Sequence, residues 1–287
     1  MKGIPVNKIP AYPLITVVTA VFNGAGLLDT TIQSVLDQTY GNVEYIVIDG
    51  GSMDGTLDVI RKHEGGIDFW LSECDNGVYD AFNKASPFIH GEWTIFLGAG
   101  DILHDHGVLA RVASVVQHLK SETEIVYGRV AITNDDGSTV KTLNRSWDLM
   151  KDKWRGGRPM LPHHQGIFHR KSLLKTESPF NTKYRIAADS ALVYSSIQRE
   201  RPVFLDFNVA CAPIGGVSTN PRYFISTAHE ILSINRSFGY RNYAHQLWFY
   251  LKSLTKSLVY LVAGTNATKK LIDEYRVVTG RKRKWTI

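Results

Sequence analysis

The sequence predicts an α/β fold: a mostly parallel, doubly wound sheet flanked by helices, followed by a helical C-terminal extension. Two observations predict the sheet. Apolar, β-rich runs alternate with helix-period runs from Leu14 to Leu97. Each apolar run ends in polar or glycine-rich sequence: Asn23-Gly24, Asp49-Gly50-Gly51, Asp75-Asn76-Gly77, and Gly98 to Asp101. Alternation at this spacing argues for parallel βαβ units. A third observation sets the extension apart. From Pro221 onward there are 12 Lys or Arg against three acids, so this part carries +9 and residues 1–220 carry −3.

Leu14 to Ala20 reads as a buried strand, and Leu27 to Gln38 as a helix through Leu27, Leu28, Ile32, Val35 and Leu36. Val43 to Ile48 is a second strand, after which Asp54 can cap a helix running to about His63. Ile67 to Leu71 and Trp93 to Leu97 are the third and fourth strands. A helix is expected over Asp105 to Lys120. A strand starts at Ile125, and Asp135-Asp136-Gly137 reads as the turn of a hairpin between Arg129–Thr133 and Thr139–Leu143. Residues 145–163, with Gly156-Gly157 and two prolines, read as an irregular connection of the length usually tied to function. A helix follows from Ala188 to Arg199. The composition break near Asn220 divides a body, 1–220, from an extension, 221–287.

Composition excludes several classes. A hydrophobic fraction of 44% fits a globular chain rather than a disordered one. Two cysteines, Cys74 and Cys211, give no disulfide framework and fit a reducing compartment. Met1 to Pro13 is broken by prolines, so no signal peptide is expected. No run reaches the about 18 apolar residues of a spanning helix. The acidic body and the lack of a known reader motif argue against nucleic acid as a partner.

In open α/β sheets, ligands bind outside the carboxyl ends of the strands. Four polar strand ends therefore converge on one crevice, although glycine and aspartate also end strands for purely structural reasons. Gly24-x-Gly26 followed by Asp49 imitates a dinucleotide site, but Asp29 stands at the third glycine position, where its charge would oppose a pyrophosphate. There is no Walker P-loop.

Five segments in order give a more specific reading: Ile48-Asp49-Gly50-Gly51-Ser52-Met53-Asp54-Gly55-Thr56; Ser72 to Lys84, with Asp75, Gly77, Tyr79, Asp80 and Asn83; His164-Gln165-Gly166-Ile167-Phe168; Tyr184-Arg185-Ile186-Ala187-Ala188-Asp189; and Gly215-Gly216-Val217-Ser218. Together they resemble glycosyltransferase family 2, in its bacterial colanic-acid and glycolipid branch, over about residues 14–220. The resemblance implies a GT-A fold, a nucleotide-sugar donor (UDP- or GDP-linked), Mn²⁺ or Mg²⁺, and inversion at the sugar carbon. It places Asp49 against the nucleobase and Ala20 and Phe22 around it, with Asn23 and Gly100 on the donor side. Asp75 and Asp80, on a loop and a first helical turn, read either as solvated charges that favour the helix dipole or, from their place beside the crevice, as donor contacts. It also places Asp101 at the last position of the metal-binding aspartate motif and Asp189 at that of the catalytic base. The metal motif departs from the family pattern: Gly98-Ala99-Gly100-Asp101 offers one carboxylate where many relatives have several. A hard cation can be held by one carboxylate plus diphosphate oxygens, since Mg²⁺ uses few protein ligands.

Read from the residues alone, Asp189 follows two alanines at a helix start and is either an N-cap or a base. His164 and Gln165, beside a proline-rich loop, are candidates to touch acceptor or phosphate; His163 reads as structural. In the extension, Tyr243, Leu247, Trp248, Leu251, Leu254, Leu258 and Leu261 recur at helical spacing, and no acid occurs between Ile231 and Ile272. Such a helix packs in a core or lies on an anionic membrane, and Arg281-Lys282-Arg283-Lys284-Trp285 favours the membrane. The expected function is transfer of a sugar to a lipid-linked or polysaccharide acceptor, peripherally at the cytoplasmic face of the inner membrane. The alternatives are an NAD-type oxidoreductase and a non-catalytic sugar-binding relative.

Overall fold

The computed structural model describes residues 12–134, 136–155, 158–215, 220–278 and 280. The N-terminal stretch to Ala11, Asp135, Gly156-Gly157, Gly216-Val217-Ser218 and Arg281 to Trp285 lie outside the described residues.

The first half alternates as expected: β1 (Ile15–Val21), α1 (Ala25–Leu36), β2 (Val43–Asp49), α2 (Thr56–Lys62), β3 (Phe69–Ser72), α3 (Val78–Ala85) and β4 (Trp93–Gly98). The second half contributes β5 (Ile102–Leu103), α4 (Val108–Val116), β6 (Ile125–Thr133), β7 (Thr139–Leu143), the short α5 (Trp147–Met150), a hairpin of β8 (Trp154–Arg155) and β9 (Arg158–Pro159), β10 (Ile167–Arg170), α6 (Ala188–Ile197) and β11 (Val203–Pro213). Two helices close the chain: α7 (Phe224–Ser237) and α8 (Tyr243–Val278).

One sheet runs in the order β3-β2-β1-β4-β10-β6-β11-β5, with β7 added beside β6. Strands β3, β2, β1 and β4 are parallel. β10 is antiparallel to both neighbours, so the sheet is mixed where the sequence suggested a mostly parallel one. The direction has a local cause. β10 follows a 3₁₀ turn, His164–Gly166, and its last residue Arg170 pairs with the first residue of β4, Trp93. The chain thus enters β10 from the end where β4 finishes and must run back down.

All seven residues of β1 are buried, as in a strand covered on both faces. Alternate residues serve opposite faces. Ile15, Val17, Tyr45, Val47, Trp93 and Ile95 pack with the apolar sides of α1 and α4. Val18, Ala20, Ile46, Ile48 and Phe96 pack with α3 and α6. Ile231 and Ile234 of α7 join this second cluster, so α7 seals the same core as the sheet.

α8 is interrupted at Gly264, whose φ of 71° is open to glycine at little cost. The buried residues of α8 are Ser253, Ser257, Thr268 and Asp273, and its large apolar side chains lie mostly outside.

Candidate functional site

Parallel register builds the site. Val21 pairs with Asp49, Ala20 with Gly98, and Asp49 with Ser72, so four strand ends stand side by side. The loop after β1 is stitched to the loop after β2. Asn23 N–H donates to Ser52 Oγ at 2.7 Å, Gly24 N–H to Thr56 Oγ1 at 3.0 Å and Ala25 N–H to Asp54 Oδ2 at 3.1 Å. Met53 N–H returns to Asn23 Oδ1 at 3.0 Å. Asp54 also accepts from Thr56 N–H at 3.1 Å, while Gly55, at φ 91°, takes the cap position of α2. Asp54 therefore ties together the starts of α1 and α2 rather than capping one helix. Ala20 is buried, with its carbonyl accepting from Ala99 N–H at 3.1 Å. The Phe22 ring stands 63% exposed at the loop.

Asp49 is fully buried. Its Oδ2 accepts from Gly51 N–H at 3.2 Å, Ser52 N–H at 3.0 Å and Ser72 Oγ at 2.6 Å, and its Oδ1 accepts from Ser52 Oγ. The carboxylate thus fixes the floor between β2 and β3. Asp75 lies against Gly50: a Cβ at Gly50 would meet Asp75 Oδ2 at 2.4 Å. The other Asp75 oxygen accepts from Gly77 N–H at 2.8 Å. Asp80, in the first turn of α3, accepts from Asn76 N–H at 2.9 Å. Lys84 holds the same loop through Cys74 O at 2.6 Å and Glu73 at 2.9 Å.

Beyond β4 the chain turns at Gly98-Ala99-Gly100-Asp101. Gly100 has φ 97° and donates its N–H to Thr31 Oγ1 at 2.8 Å. Asp101 is 7% exposed; its Oδ2 accepts from Gly98 N–H at 2.9 Å, and its Oδ1 faces Gln165 Nε2 at 3.4 Å. Burial pushes the Asp101 pKa above the usual carboxylate value, against the smaller opposing pulls of His164, Gly98 N–H and Gln165. A bound cation would favour the ionised form. Asp101 thus suits a hard cation that takes its remaining ligands from a diphosphate. Among the described residues, no three of His, Cys, Asp and Glu gather to hold an ion by themselves.

A family model, Glycosyl transferase family 2, matches residues 16–189. The chain belongs to glycosyl transferase family 2. A PGL/p-HBAD biosynthesis glycosyltransferase of Mycobacterium tuberculosis is 31% identical over 233 residues, covering 80% of this chain and 79% of the relative. The fold is that of GT-A glycosyltransferases. A mannosyltransferase from Pyrobaculum calidifontis, solved with GDP-Man and Mn²⁺, superimposes with a TM-score of 0.64 at 17% identity, over 95% of this chain and 82% of that one. S. aureus TarS with UDP gives 0.57 at 17% identity, over 89% and 74%. The family match displaces the dinucleotide alternative. Asp29, which spoiled the dinucleotide pattern, lies on α1 and pairs with Lys62 at 2.6 Å and His63 at 2.8 Å.

The candidate site has a second wall, built by α6 and the turn before β10. Asp189 is the second residue of α6, and the cap position is held by Ala187, so the carboxylate is not an N-cap. Its Oδ1 accepts from the Tyr79 hydroxyl at 2.9 Å, and its Oδ2 stands 3.9 Å from His164 Nδ1. His164 is also near enough to Asp101 for its charge to pull against the rise of that carboxyl's pKa. The structure therefore brings Asp101, His164, Gln165 and Asp189 into one group. Asp75 and Asp80 stay on their own loop, engaged with backbone groups.

Three contributors escape sequence reasoning. Tyr79 lies within the Ser72–Lys84 segment but carries no local sign of a partner at Asp189. Asn144, at φ 66°, donates to Gly128 O at 2.7 Å and accepts from His163 N–H at 2.8 Å, locking the turn that presents His164. Glu230, on α7, binds the backbone ahead of α6.

Proposed function

We propose that this chain is an inverting, nucleotide-sugar-dependent transferase that glycosylates a hydroxyl of a lipid-linked or polysaccharide acceptor in cell-surface glycan synthesis. The observation that carries the reading is the grouping of two carboxylates around the turn before β10: Asp189 stands 3.9 Å from His164, and Asp101, just past the end of β4, faces Gln165 at 3.4 Å. The donor lies over the loops of Asn23 and Gly50–Ser52, with the base beside Phe22 and above the floor made by Asp49. Asp75, Asp80 and Gly100 border the ribose and diphosphate.

Asp101 would hold Mn²⁺ or Mg²⁺ together with the diphosphate, and the ion would supply positive charge to offset that growing on the leaving group. Asp189 takes the proton of the acceptor hydroxyl as its oxygen attacks the anomeric carbon from the face opposite the departing nucleoside diphosphate. Tyr79 keeps one Asp189 oxygen occupied, leaving the other toward His164 and the acceptor. His164 and Gln165 meet the acceptor or the phosphates.

The extension, 221–287, contacts the membrane from the cytoplasmic side. Tyr243, Leu247, Trp248, Leu251, Leu258, Leu261 and Val262 are exposed, and at 100° per residue they share one face of α8. Among the described residues no helix is long and apolar enough to cross a membrane. An exposed apolar stripe on a chain segment without acids fits a helix lying in the interface. Lys252 and Lys256, however, stand over the rings of Tyr275 and Phe224, so the charge facing lipid comes instead from exposed Arg236, Arg241 and Lys270.

Thermal melts with a panel of UDP- and GDP-sugars, with and without Mn²⁺, test the donor class, because a ligand that binds the folded state raises the midpoint. A rise with one nucleotide sugar, larger with Mn²⁺, is expected. A rise with NAD and none with any nucleotide sugar contradicts the reading.

A further inference from the structure

Glu230 is the one acid between Asp206 and Asp273 in the sequence. It lies on α7, in the part of the chain after the glycosyltransferase motifs. Its carboxylate nevertheless accepts three backbone N–H groups in succession: Arg185 to Oε1 at 2.9 Å, Ile186 to Oε2 at 2.9 Å, and Ala187 to Oε2 at 3.0 Å. These are the residues that lead into α6, two positions before Asp189. One helical turn along α7, Ser233 Oγ meets the Tyr184 hydroxyl at 3.4 Å.

The need for such a clamp is visible in the sequence of α6. Its cap residue is Ala187, which has no side-chain acceptor, and no side-chain cap is formed. The free N–H groups ahead of a helix require acceptors, and a negative charge there also favours the helix dipole. Glu230 supplies both from a different helix. A carboxylate taking several N–H bonds is a charge-assisted, directional contact, so it fixes position as well as adding stability. Tyr79 closes the arrangement from the other side: its single hydroxyl proton is shared between Ile186 O at 3.0 Å and Asp189 Oδ1 at 2.9 Å. The peptide between Ile186 and Ala187 is thus held at its N–H by Glu230 and at its carbonyl by Tyr79.

We infer that Glu230 is a positioning residue for Asp189, by which the C-terminal extension sets the aim of the carboxylate on α6. The inference rests on the reading of Asp189 as the base, and it adds that the glycosyltransferase body does not align this base without α7. Ala228, Ile231 and Ile234, buried on the same helix, hold Glu230 in register with the core.

Full-length Glu230→Ala and Glu230→Gln variants test this in wild-type and Asp189→Asn backgrounds. Each is read by transfer kcat per folded enzyme, donor Kd, and hydrogen exchange at the amides of residues 185–187. Gln keeps the side-chain length and one acceptor oxygen but turns a donor toward the N–H groups, which guards against loss of fold in the alanine variant. Expected are faster exchange at 185–187, a kcat lower by about tenfold or more, as misplacement of a reacting group costs, and an unchanged donor Kd. In the Asp189→Asn background, replacing Glu230 should lower transfer by no more than about twofold further, because coupled residues are not additive. Effects that multiply in the double variant overturn the inference, as does wild-type kcat in Glu230→Gln with faster exchange. If Asp189→Asn alone retains full transfer, the reading of the base fails instead, and the two failures are separate.

Discussion

The Tyr79 hydroxyl donates to Asp189 Oδ1 at 2.9 Å, joining α3, which follows the loop of Asp75, to α6. Tyr79 is buried, and burial first, then the charge of Asp189, pushes its pKa well above the usual phenol value. The phenol is therefore a lasting donor. Tyr79→Phe removes that donor and leaves the ring stacked on Phe180. The variant should lose about 1 kcal/mol of stability, the worth of one hydrogen bond. Transfer should fall by about tenfold as the carboxylate gains freedom, with donor affinity unchanged. Steady-state kinetics alongside donor binding checks this; loss of donor affinity with full kcat would assign Tyr79 to the donor pocket instead.

Asp101→Asn separates metal binding from folding. Burial raises the folded-state pKa of Asp101, so the ionised carboxylate costs stability that is progressively lost as pH rises through that pKa. A neutral asparagine avoids this cost. At neutral pH the variant should melt at the same temperature as wild type or higher, while losing most turnover stimulated by Mn²⁺. Undiminished stimulation across a metal titration would remove Asp101 from the ion site.

The parallel half of the sheet was legible because each element carries its own signal: an apolar run, a glycine-rich end, a helix-period stretch. Asp49 and Asp189 stood out as members of ordered segments, and Asp101 as the lone carboxylate of the glycine-rich turn after the fourth strand. The direction of β10 was not, since strand polarity is decided by where the chain re-enters the sheet. Asn144 and Glu230 were invisible for a related reason. The partners of Asn144 lie 16 and 19 residues away and those of Glu230 43–45, and a single polar residue in a loop or helix gives no sign of which backbone it will hold. The amphipathic pattern of the extension was visible, but not that α7 enters the core while α8 leaves its apolar face outside.

His169 predicts an acid sensitivity independent of catalysis. It is buried in β10 with its ring edge-on to Phe96 at 5.6 Å, and burial lowers its pKa from 6.5 to about 4. Asp189 opposes this shift weakly, and His164 adds to it. Between these values the unfolded chain takes up a proton that the folded one refuses. Stability is therefore full above pH 6.5 and falls as pH drops toward 4, by about 3 kcal/mol at 1.4 kcal/mol per unit. Denaturant melts at pH 7 and pH 5 should show a larger loss for wild type than for His169→Gln; equal losses would mean that His169 does not set the slope.

The exposed face of α8 predicts lipid dependence. Wild type should sediment with anionic vesicles more than with neutral ones, and less as salt rises, since each basic residue near the surface contributes about 1 kcal/mol. Replacing Leu247, Trp248 and Leu251 together by serine should weaken binding to both vesicle types while leaving the melting temperature near that of wild type. Equal sedimentation of wild type on neutral and anionic vesicles at low salt would remove the electrostatic part. Unchanged binding by the triple variant would remove the α8 face.

The central claim is that Asp189 removes the proton of the acceptor hydroxyl in transfer from a nucleotide sugar. The most direct test is single-turnover transfer by Asp189→Asn, with donor binding measured on the same preparation. Transfer should fall by about 10²- to 10⁴-fold, the usual contribution of a general base, with the donor bound as in wild type. An Asp189→Asn enzyme that transfers at the wild-type rate once saturated with donor would contradict the account.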